Sequence, residues 1–520
     1  MLPGAVDVLV LGAGLAGLRA ALSCLETSPD ASVLVASLAA GPSGSSFANM
    51  NDALGIHVCL TDQDREDYVR EVLALNESQR IPQLWLSPEL LAIQAEEGET
   101  RLRDLVSLGL PFVRDDAGSL VAHSSCFSPH SRRAFVFTGL ARAHDRFQER
   151  LVALGCRFAP GWEAAAVLSA ATDTSGTPGR RPVAAGAILV PASGGEPVVV
   201  EAKAVVVALG GPGRLFAHSM AGPSVPGYGQ GLLARAGAEM TNLGYLQYMW
   251  GTIPGKKFWQ PAALGSGGYK LALPDAMSPD RENPGWAPSS NSSSTPSAPP
   301  VLLNEIVPEL QALCARRAEH CPYGYGLDDS AMDLALADAL DHAGTVTLLG
   351  KEGGALRVAP MAHASNGGAV IDGNAETSIP GLLACGECAT GMHGANRLGG
   401  GMVLATQVFG HRAGVRAARI ASSTDQAWAK PDSSDMIFER VNRAWTGRSG
   451  GLLTDVAERT SGLKWLAEGL SRYAVLGGRP GCREFAGKVR QRLMDARDWR
   501  LSISLKAGLG ILEGLPFGSD

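Results

Sequence analysis

Val6–Leu11 (VDVLVL) runs straight into Gly12-Ala13-Gly14-Leu15-Ala16-Gly17, and a helix-periodic stretch, Leu15–Leu25, leads on to a second apolar run, Val33–Ser37. No other feature of the 520 residues constrains the fold as tightly. Strand, glycine turn, helix and strand make a βαβ unit, which demands a parallel sheet and a right-handed crossover. In G-x-G-x-x-G the first glycine allows the sharp turn, the second lets a pyrophosphate approach the backbone, and the third lets the helix pack on the strand. The helix N-terminus then presents N–H groups and the positive end of its dipole to phosphate. Gly12, Gly14 and Gly17, with Leu15 and Ala16 between them, are the expected dinucleotide contacts. The ribose-binding acid expected about 20 residues on is absent. Ser37 stands there, and its hydroxyl can bond a ribose without carrying charge.

Hydrophobic residues are 45% and charged residues 18% of the chain, so a sizeable core is available and global disorder is excluded. Gly is 64 of 520, about 12% against a usual ~7%, which favours tight turns and close backbone approaches. Lys plus Arg minus Asp plus Glu is 45 − 51 = −6, and no basic run occurs, which argues against nucleic acid as the main partner. Nine scattered cysteines fit a reducing compartment better than a disulfide framework. No apolar run approaches the ~20 residues of a membrane helix, and the N-terminus lacks a basic leader region. A soluble, cytoplasmic protein without an integral membrane segment is expected.

Helical patterns at Asp64–Leu75, Glu97–Leu108 and Leu140–Leu154, a strand at Cys156–Phe158, and β-rich runs at Val183–Val190, Val198–Glu201 and Ala204–Leu209 continue the α/β alternation. The last run, AVVVALGG, has the composition of a fully buried strand and ends at Gly210-Gly211. Thr172–Pro182 reads as a surface turn. Asn283–Pro300 is Ser/Pro/Asn-rich and is expected to be a disordered loop. It lies inside a stretch, 226–354, whose pattern differs from its flanks. Ser434–Trp445, Leu452–Tyr473 and Gly481–Ala507 read as amphipathic helices. The expected organisation is one α/β domain from 1–225 and 355–424, an insert at 226–354, and a helical domain at 425–520.

A second glycine-marked strand end decides the ligand. Gly381-Leu-Leu-Ala-Cys385-Gly386-Glu387 reads as a strand ending in Gly-Glu, followed by His393-Gly-Ala-Asn396-Arg397-Leu398-Gly-Gly-Gly401 and a helix over about 402–418. It offers a long ligand a second wall, with a helix N-terminus facing negative charge on a flavin ring. No other G-x-G-x-x-G in good context occurs, so one dinucleotide site and no NAD site are expected.

GAGLAGLRAAL at 12–22, AKAVVVALGG at 202–211, RAGAEM at 235–240, SIPGLLACGE at 378–387, HGANRLGG at 393–400 and VFGHRAG at 408–414 resemble the fumarate reductase and succinate dehydrogenase flavoprotein family, which includes L-aspartate oxidase. The resemblance runs in order through most of residues 1–425. It implies a Rossmann-like FAD-binding domain, an inserted α+β capping domain over the flavin, and a C-terminal helical domain. Ser45, Ser46 and Asn51 fall in the family's second FAD-contacting loop. The histidine that carries covalent flavin in membrane-bound members is not there, so non-covalent FAD is implied. Gly210, Gly211, Gly386, Glu387, Asn396 and Leu398 complete the implied cofactor site. Arg397 matches the family's substrate-carboxylate arginine, whose guanidinium fork suits a carboxylate. The alternatives for Arg397 are stabilising a reduced, anionic flavin or the local loop. His363, in H-x-x-x-G-G, matches a residue that binds a substrate carboxylate beside the flavin, and His393 opens the HGANR turn. His130-Ser-Arg-Arg133 and Thr138-Gly139 resemble a further segment near the cofactor or cap.

The departures narrow what is implied. Gln247-Tyr248-Met249-Trp250 carries methionine where the family has histidine. The family's capping-domain arginine helix has no counterpart in the insert, Arg281 standing next to the Ser/Pro stretch. Tyr228 replaces the acid of the family's G-D-G. A dicarboxylate site needs several cationic donors, so the FAD expectation is firmer than a fumarate or aspartate one. Cys385-Gly-Glu-Cys388 has the spacing of a redox pair, but its place at a strand end favours packing. Lys256, Lys257 and Trp259 are read as a solvated loop, with an altered substrate pocket as the alternative. No metal-ligand spacing occurs, and no metal is expected. Two functions remain: an FAD-dependent oxidoreductase exchanging a hydride between flavin N5 and a carbon next to a carboxylate, and a flavin-carrying relay component of a larger complex, with an iron–sulfur partner and an eroded substrate site.

Overall fold

The computed structural model describes residues 2–77, 81, 84–170, 183–224, 226–261, 263–264, 270–271, 322–350, 354–423 and 454–515. The expectations for Thr172–Pro182, Asn283–Pro300, Arg281 and Ser434–Trp445 lie outside them.

The N-terminal unit forms as its pattern dictates: β1 (Ala5–Leu11), α1 (Leu15–Thr27) and β2 (Val33–Ser37). β3 (Ala53–His57) follows, then two helices, α2 (Asp62–Asn76) and α3 (Pro88–Ser107). A capping box starts α2, in which the Asp64 N–H donates to the Thr61 hydroxyl and the Asp64 carboxylate accepts from the Thr61 N–H. The helix expected from Glu97 starts at Pro88, because Ser87 caps it and proline opens its first turn. β4 (Ser128–Thr138) and α4 (Leu140–Ala153) lead into β5 (Arg157–Pro160), β6 (Trp162–Ala170), β7 (Val183–Pro191) and β8 (Val198–Val207). Two of the three expected β runs are therefore one strand, with Ala202 and Lys203 continuing the ladder between them.

These strands make a mixed sheet in the order β5-β2-β1-β8-β7-β6. β1 pairs in parallel with β2 and β8, while β7 and β8 are antiparallel. The later strand Leu382–Ala384 returns to the same sheet, parallel to the C-terminal half of β8. Two segments 175 or more residues apart thus end side by side, Val207 opposite Ala384, and their loops emerge on one edge. That edge, beyond the carboxyl ends of parallel strands, is where ligands of open α/β sheets bind.

Beyond β8, helix α5 (Tyr228–Ala236) precedes β9 (Leu246–Ile253), which joins β10 (Val346–Leu349) and β11 (Ala355–Ser365) in an antiparallel sheet. α6 (Gly401–Ser422) lies against α1 at the heart of the larger core. Glycine makes that contact close: a Cβ on Gly414 would lie 2.2 Å from the Ala20 carbonyl oxygen. The C-terminal helices are α7 (Val456–Tyr473), α8 (Cys482–Asp495) and α9 (Trp499–Glu513). The single helix expected over Gly481–Ala507 is broken at Ala496–Asp498, where the Asp498 carboxylate accepts from Leu501 N–H and starts α9. Leu466, Leu470, Phe485, Leu501 and Leu505 share one buried cluster with Leu246, Tyr248, Trp250 and Val358 of the antiparallel sheet. Among the described residues no helix is long and apolar enough to cross a membrane.

Candidate active site

At the end of β1 the backbone is shaped by what a side chain would strike. Gly12 has φ +110°, and a Cβ there would sit 2.4 Å from the Ala208 carbonyl oxygen; one on Gly17 would sit 2.0 Å from the Gly12 carbonyl oxygen. Gly14 differs. It caps α1 in an extended conformation, and the nearest atom to an added Cβ is Ser46 Oγ at 3.9 Å. No side chain caps α1 and no acid stands in its first turn, so its first-turn amides have no side-chain acceptor. Leu15 and Ala16 are buried behind them. Gly210, at the neighbouring strand end, has φ +77° and nothing within 4 Å of a Cβ. Ser45 Oγ accepts from Gly222 N–H at 3.2 Å. Ser37 ends β2, but its hydroxyl donates to Ala39 O at 2.8 Å. Asn51 is exposed.

The second glycine-marked strand end closes on the first. A Cβ on Gly386 would lie 2.8 Å from Ala16 Cβ, and one on Gly211 would lie 2.2 Å from the Glu387 carboxyl. The Glu387 carboxylate accepts from Gly211 N–H at 3.2 Å and from Ser365 N–H at 2.7 Å, tying β8, β11 and the 386–388 turn together. Burial raises its pKa above the usual carboxylate range, against those bonds and the Arg397 charge. Cys385 and Cys388 are fully buried free thiols. Cys388 donates to Gly210 O at 3.3 Å, and burial pushes its pKa to about 12. Thiols held this far from thiolate pack the strand end; the redox spacing carries no redox environment.

The HGANR turn is built by residues far away in sequence. Asn76, at the end of α2, accepts from Ala395 N–H at 2.7 Å and Asn396 N–H at 3.0 Å, and donates to His393 O at 3.2 Å. Gly394 has φ +63°, and a Cβ there would strike the Asn76 amide at 2.5 Å. The Asn396 amide donates to Leu75 O and Tyr325 O at 2.8 Å each and accepts from Tyr325 N–H at 2.7 Å. Its side chain holds the turn against α2 and the backbone of Tyr325. Leu398 packs with Tyr68, Val72 and Leu91.

Arg397 emerges from this rigid turn, 7% exposed. Its Nη2 donates to Gln247 Oε1 at 2.7 Å and its Nη1 to Leu398 O at 3.3 Å, while its Nε has no partner among the described residues. Burial lowers its pKa from the ordinary arginine value, opposed by Cys126, Glu387 and Tyr68; an arginine stays charged regardless. His393 is buried beside it with Nε2 unpartnered among the described residues, and burial together with the Arg397 charge holds its pKa well below 6.5. A Cβ on Gly401 would lie 3.3 Å from Arg397 Cγ and 3.6 Å from His393 Cε1. Both therefore stand at the uncapped, acid-free N-terminus of α6. His363 is half-buried on β11. Register pairs Gln247 with Ala364 and Tyr248 with Ala362, so His363 is the extra residue of a β-bulge opposite Gln247; bulges re-aim side chains and recur beside active sites.

One contrast isolates Arg397. Among the described residues the other buried arginines each meet a carboxylate: Arg19 with Glu26 and Asp104 at 3.2 and 3.4 Å, Arg101 with Asp104 at 3.2 Å, Arg133 with Glu71 at 2.5 Å, and Arg500 with Glu163 at 2.5 Å. Arg397 meets a neutral amide. Arg133 of the basic segment is thus a structural ion pair, and the side chains of His130 and Arg132 lie outside the described residues. Met249, across from Met361, and Tyr228, whose ring lies 6.2 Å from that of Trp499, are core residues. Sequence reading passed over Asn76, Gln247 and Tyr325. Only Gln247 had a signal, as the neighbour of the departure at Met249.

The residues fit a dinucleotide with a redox ring. An open glycine cradle at an uncapped helix N-terminus suits phosphates, and a neutral histidine and an arginine with unpartnered nitrogens stand near a second helix N-terminus. The comparisons agree. The family described as FAD binding domain matches residues 7–271 and 310–403. The chain is 28% identical over 472 residues to L-aspartate oxidase of Caulobacter vibrioides, covering 86% of this chain and 83% of that protein. It is 26% identical over 434 residues to one component of the fumarate reductase (CoM/CoB) of Methanothermobacter marburgensis, covering 81% and 74%. In fold it is similar to E. coli quinol fumarate reductase FrdA, with a TM-score of 0.68 at 19% identity over 99% of this chain and 88% of that one. Matched over more than half its length, the chain belongs to the FAD binding domain family and is an FAD-dependent oxidoreductase related to fumarate reductase and L-aspartate oxidase.

Proposed function

We propose that the enzyme acts on a small carboxylate, with the FAD diphosphate at Gly12–Gly17 and the ring end near Glu387 and the HGANR turn. When bound, FAD supplies the redox step, hydride exchange between its N5 and a carbon next to a carboxylate. The single observation that carries the substrate class is the Arg397 guanidinium, buried with only neutral hydrogen-bond partners and no carboxylate in direct contact among the described residues. A buried charge is costly unless paired, and a fork of donors at a helix N-terminus is paired best by a carboxylate. Arg397 would hold the carboxylate. His363, re-aimed by its bulge, would orient it, and His393, held neutral, would donate or accept one hydrogen bond without competing for the anion. Ser45, Ser46, Asn51, Gly210, Gly211, Gly386, Glu387, Asn396 and Leu398 would line the cofactor by side chain or backbone, and Ser37 by its backbone, its hydroxyl being spent on Ala39. FAD would be non-covalent.

The same reading divides the chain into an FAD-binding domain at 1–225 and 355–424, a capping domain at 226–354 and a helical domain at 425–520, places it in the cytoplasm, and leaves room for an iron–sulfur protein as electron partner. The test is Arg397→Ala in purified, photoreduced protein offered fumarate, crotonate and iminoaspartate. FAD stays bound and reoxidation by the accepting carboxylate slows by about 30-fold or more, by analogy with losing one charged donor. An unchanged rate removes Arg397 from substrate binding.

A further inference from the structure

We infer that Gln247 is a positioning residue, which fixes the Arg397 fork from behind without pairing its charge with a carboxylate. Gln247 is fully buried on β9, and it holds Arg397 at two points: its Oε1 accepts from Nη2 at 2.7 Å, and its Nε2 donates to the Arg397 carbonyl at 3.1 Å. A guanidinium can only donate and a carbonyl can only accept, so the amide has one possible orientation and both bonds are specified by chemistry. The two residues lie 150 apart in sequence, so the contact belongs to the site and to no local turn.

The choice of an amide is informative because the rest of the molecule chooses otherwise. Arg19, Arg101, Arg133 and Arg500 are buried against carboxylates. A carboxylate at 247 would orient Arg397 equally well through a charge-assisted bond, and it would also neutralise the guanidinium and repel an arriving anion. An apolar side chain would leave the charge but free the fork. Glutamine alone among residues of this length gives orientation, a second anchor on the backbone and zero charge. The inference rests on the proposal that Arg397 serves an anion, but it concerns the state of the guanidinium and is read separately.

The experiment uses the FAD-loaded protein and two probes: sulfite, an anion that reversibly bleaches oxidised flavin, and the carboxylates crotonate and succinate. Q247E, Q247M and R397Q are made singly, with Q247E also in the R397Q background. Sulfite affinity is expected to fall at least tenfold in Q247E and about threefold in Q247M, and to change less than twofold when Q247E is added to R397Q. The double-mutant cycle isolates action through Arg397; a residue that merely packs would give the same loss in both backgrounds. Should Q247E fail to bind FAD, Q247M and the Q247M/R397Q pair complete the cycle. Sulfite affinity unchanged in Q247E, or lowered equally with and without Arg397, overturns the inference. Carboxylates bound equally by wild type and R397Q, with the sulfite cycle still coupled, overturn the carboxylate reading and leave the role of Gln247 standing.

Discussion

The two ends of the proposed cofactor site solve opposite problems. The diphosphate end is made of backbone: Gly12, Gly14 and Gly17 contribute no side chains, no acid stands in the first turn of α1, and the helix terminus supplies the polarity. The ring end is made of buried side chains, Arg397, His393, Gln247 and Glu387, drawn from β9, the 386–388 turn and the HGANR loop. A backbone site is protected from error by sterics, because at Gly12 and Gly17 any side chain collides with backbone carbonyls. A side-chain site is protected by electrostatics, because a changed residue still fits but leaves a charge or a dipole wrongly matched. The first should therefore fail in folding and cofactor content, the second in anion binding with the fold intact.

Gly12→Ala should produce the largest effect. Its Cβ would lie 2.4 Å from the Ala208 carbonyl at a φ of +110°, so overlap and backbone strain together cost about 3–5 kcal/mol. The expected result is poorly folded, colourless protein, read by urea unfolding and the flavin absorbance per chain. A yellow Gly12→Ala protein of ordinary stability would erase the steric half of the contrast. Arginines sharpen the other half. Arg500→Gln leaves Glu163 buried without its partner and should cost about 3–5 kcal/mol of folding stability. Arg397→Gln breaks no direct ion pair and should cost less than about 1 kcal/mol of stability while removing about 2 kcal/mol of carboxylate binding. If the two variants unfold alike, Arg397 is a structural residue like the others.

The same contrast explains what was legible in the sequence. β1–Gly–α1–β2 was readable because its information is local: six residues, one hydrophobic period and one steric rule. The pairing of β8 with Leu382–Ala384 was readable in outline, since both are short apolar runs ending in glycine. The clamp on the HGANR turn was not. Asn76 reaches Ala395 across 319 residues and Gln247 reaches Arg397 across 150, and an asparagine at a helix end looks the same whether it meets solvent or builds a site. The resemblance picked out Arg397 and His363 without revealing that one is held by a neutral amide and the other by a bulge. Nor could pattern distinguish one strand over Val198–Val207 from two runs, because Lys203 looks like a break until its ammonium is seen to meet Asp7 at 2.7 Å.

The smallest effect tests whether the ring end is as dry as its charges require. His393 is buried beside a cation, and its folded pKa lies far below the ordinary 6.5. Above that value folded and unfolded chains both carry a neutral imidazole, so His393 adds nothing to the pH dependence of stability. Below it the unfolded chain takes up a proton that the folded chain refuses, and stability falls by about 1.4 kcal/mol for each pH unit that this one histidine governs. His57 and His411, each lowered to about 3 mainly by burial, act in the same direction. His393→Asn should therefore leave stability near neutral pH within about 1 kcal/mol and make the acid-side slope shallower by the single-histidine amount. Urea unfolding of FAD-saturated protein at several pH values on both sides of 6.5 measures it. An unchanged slope would mean that His393 is protonated in the folded protein. It would then sit as a second cation beside Arg397, the anion would meet two cations instead of one, and the claim that Arg397 is the single cation at this end would fail.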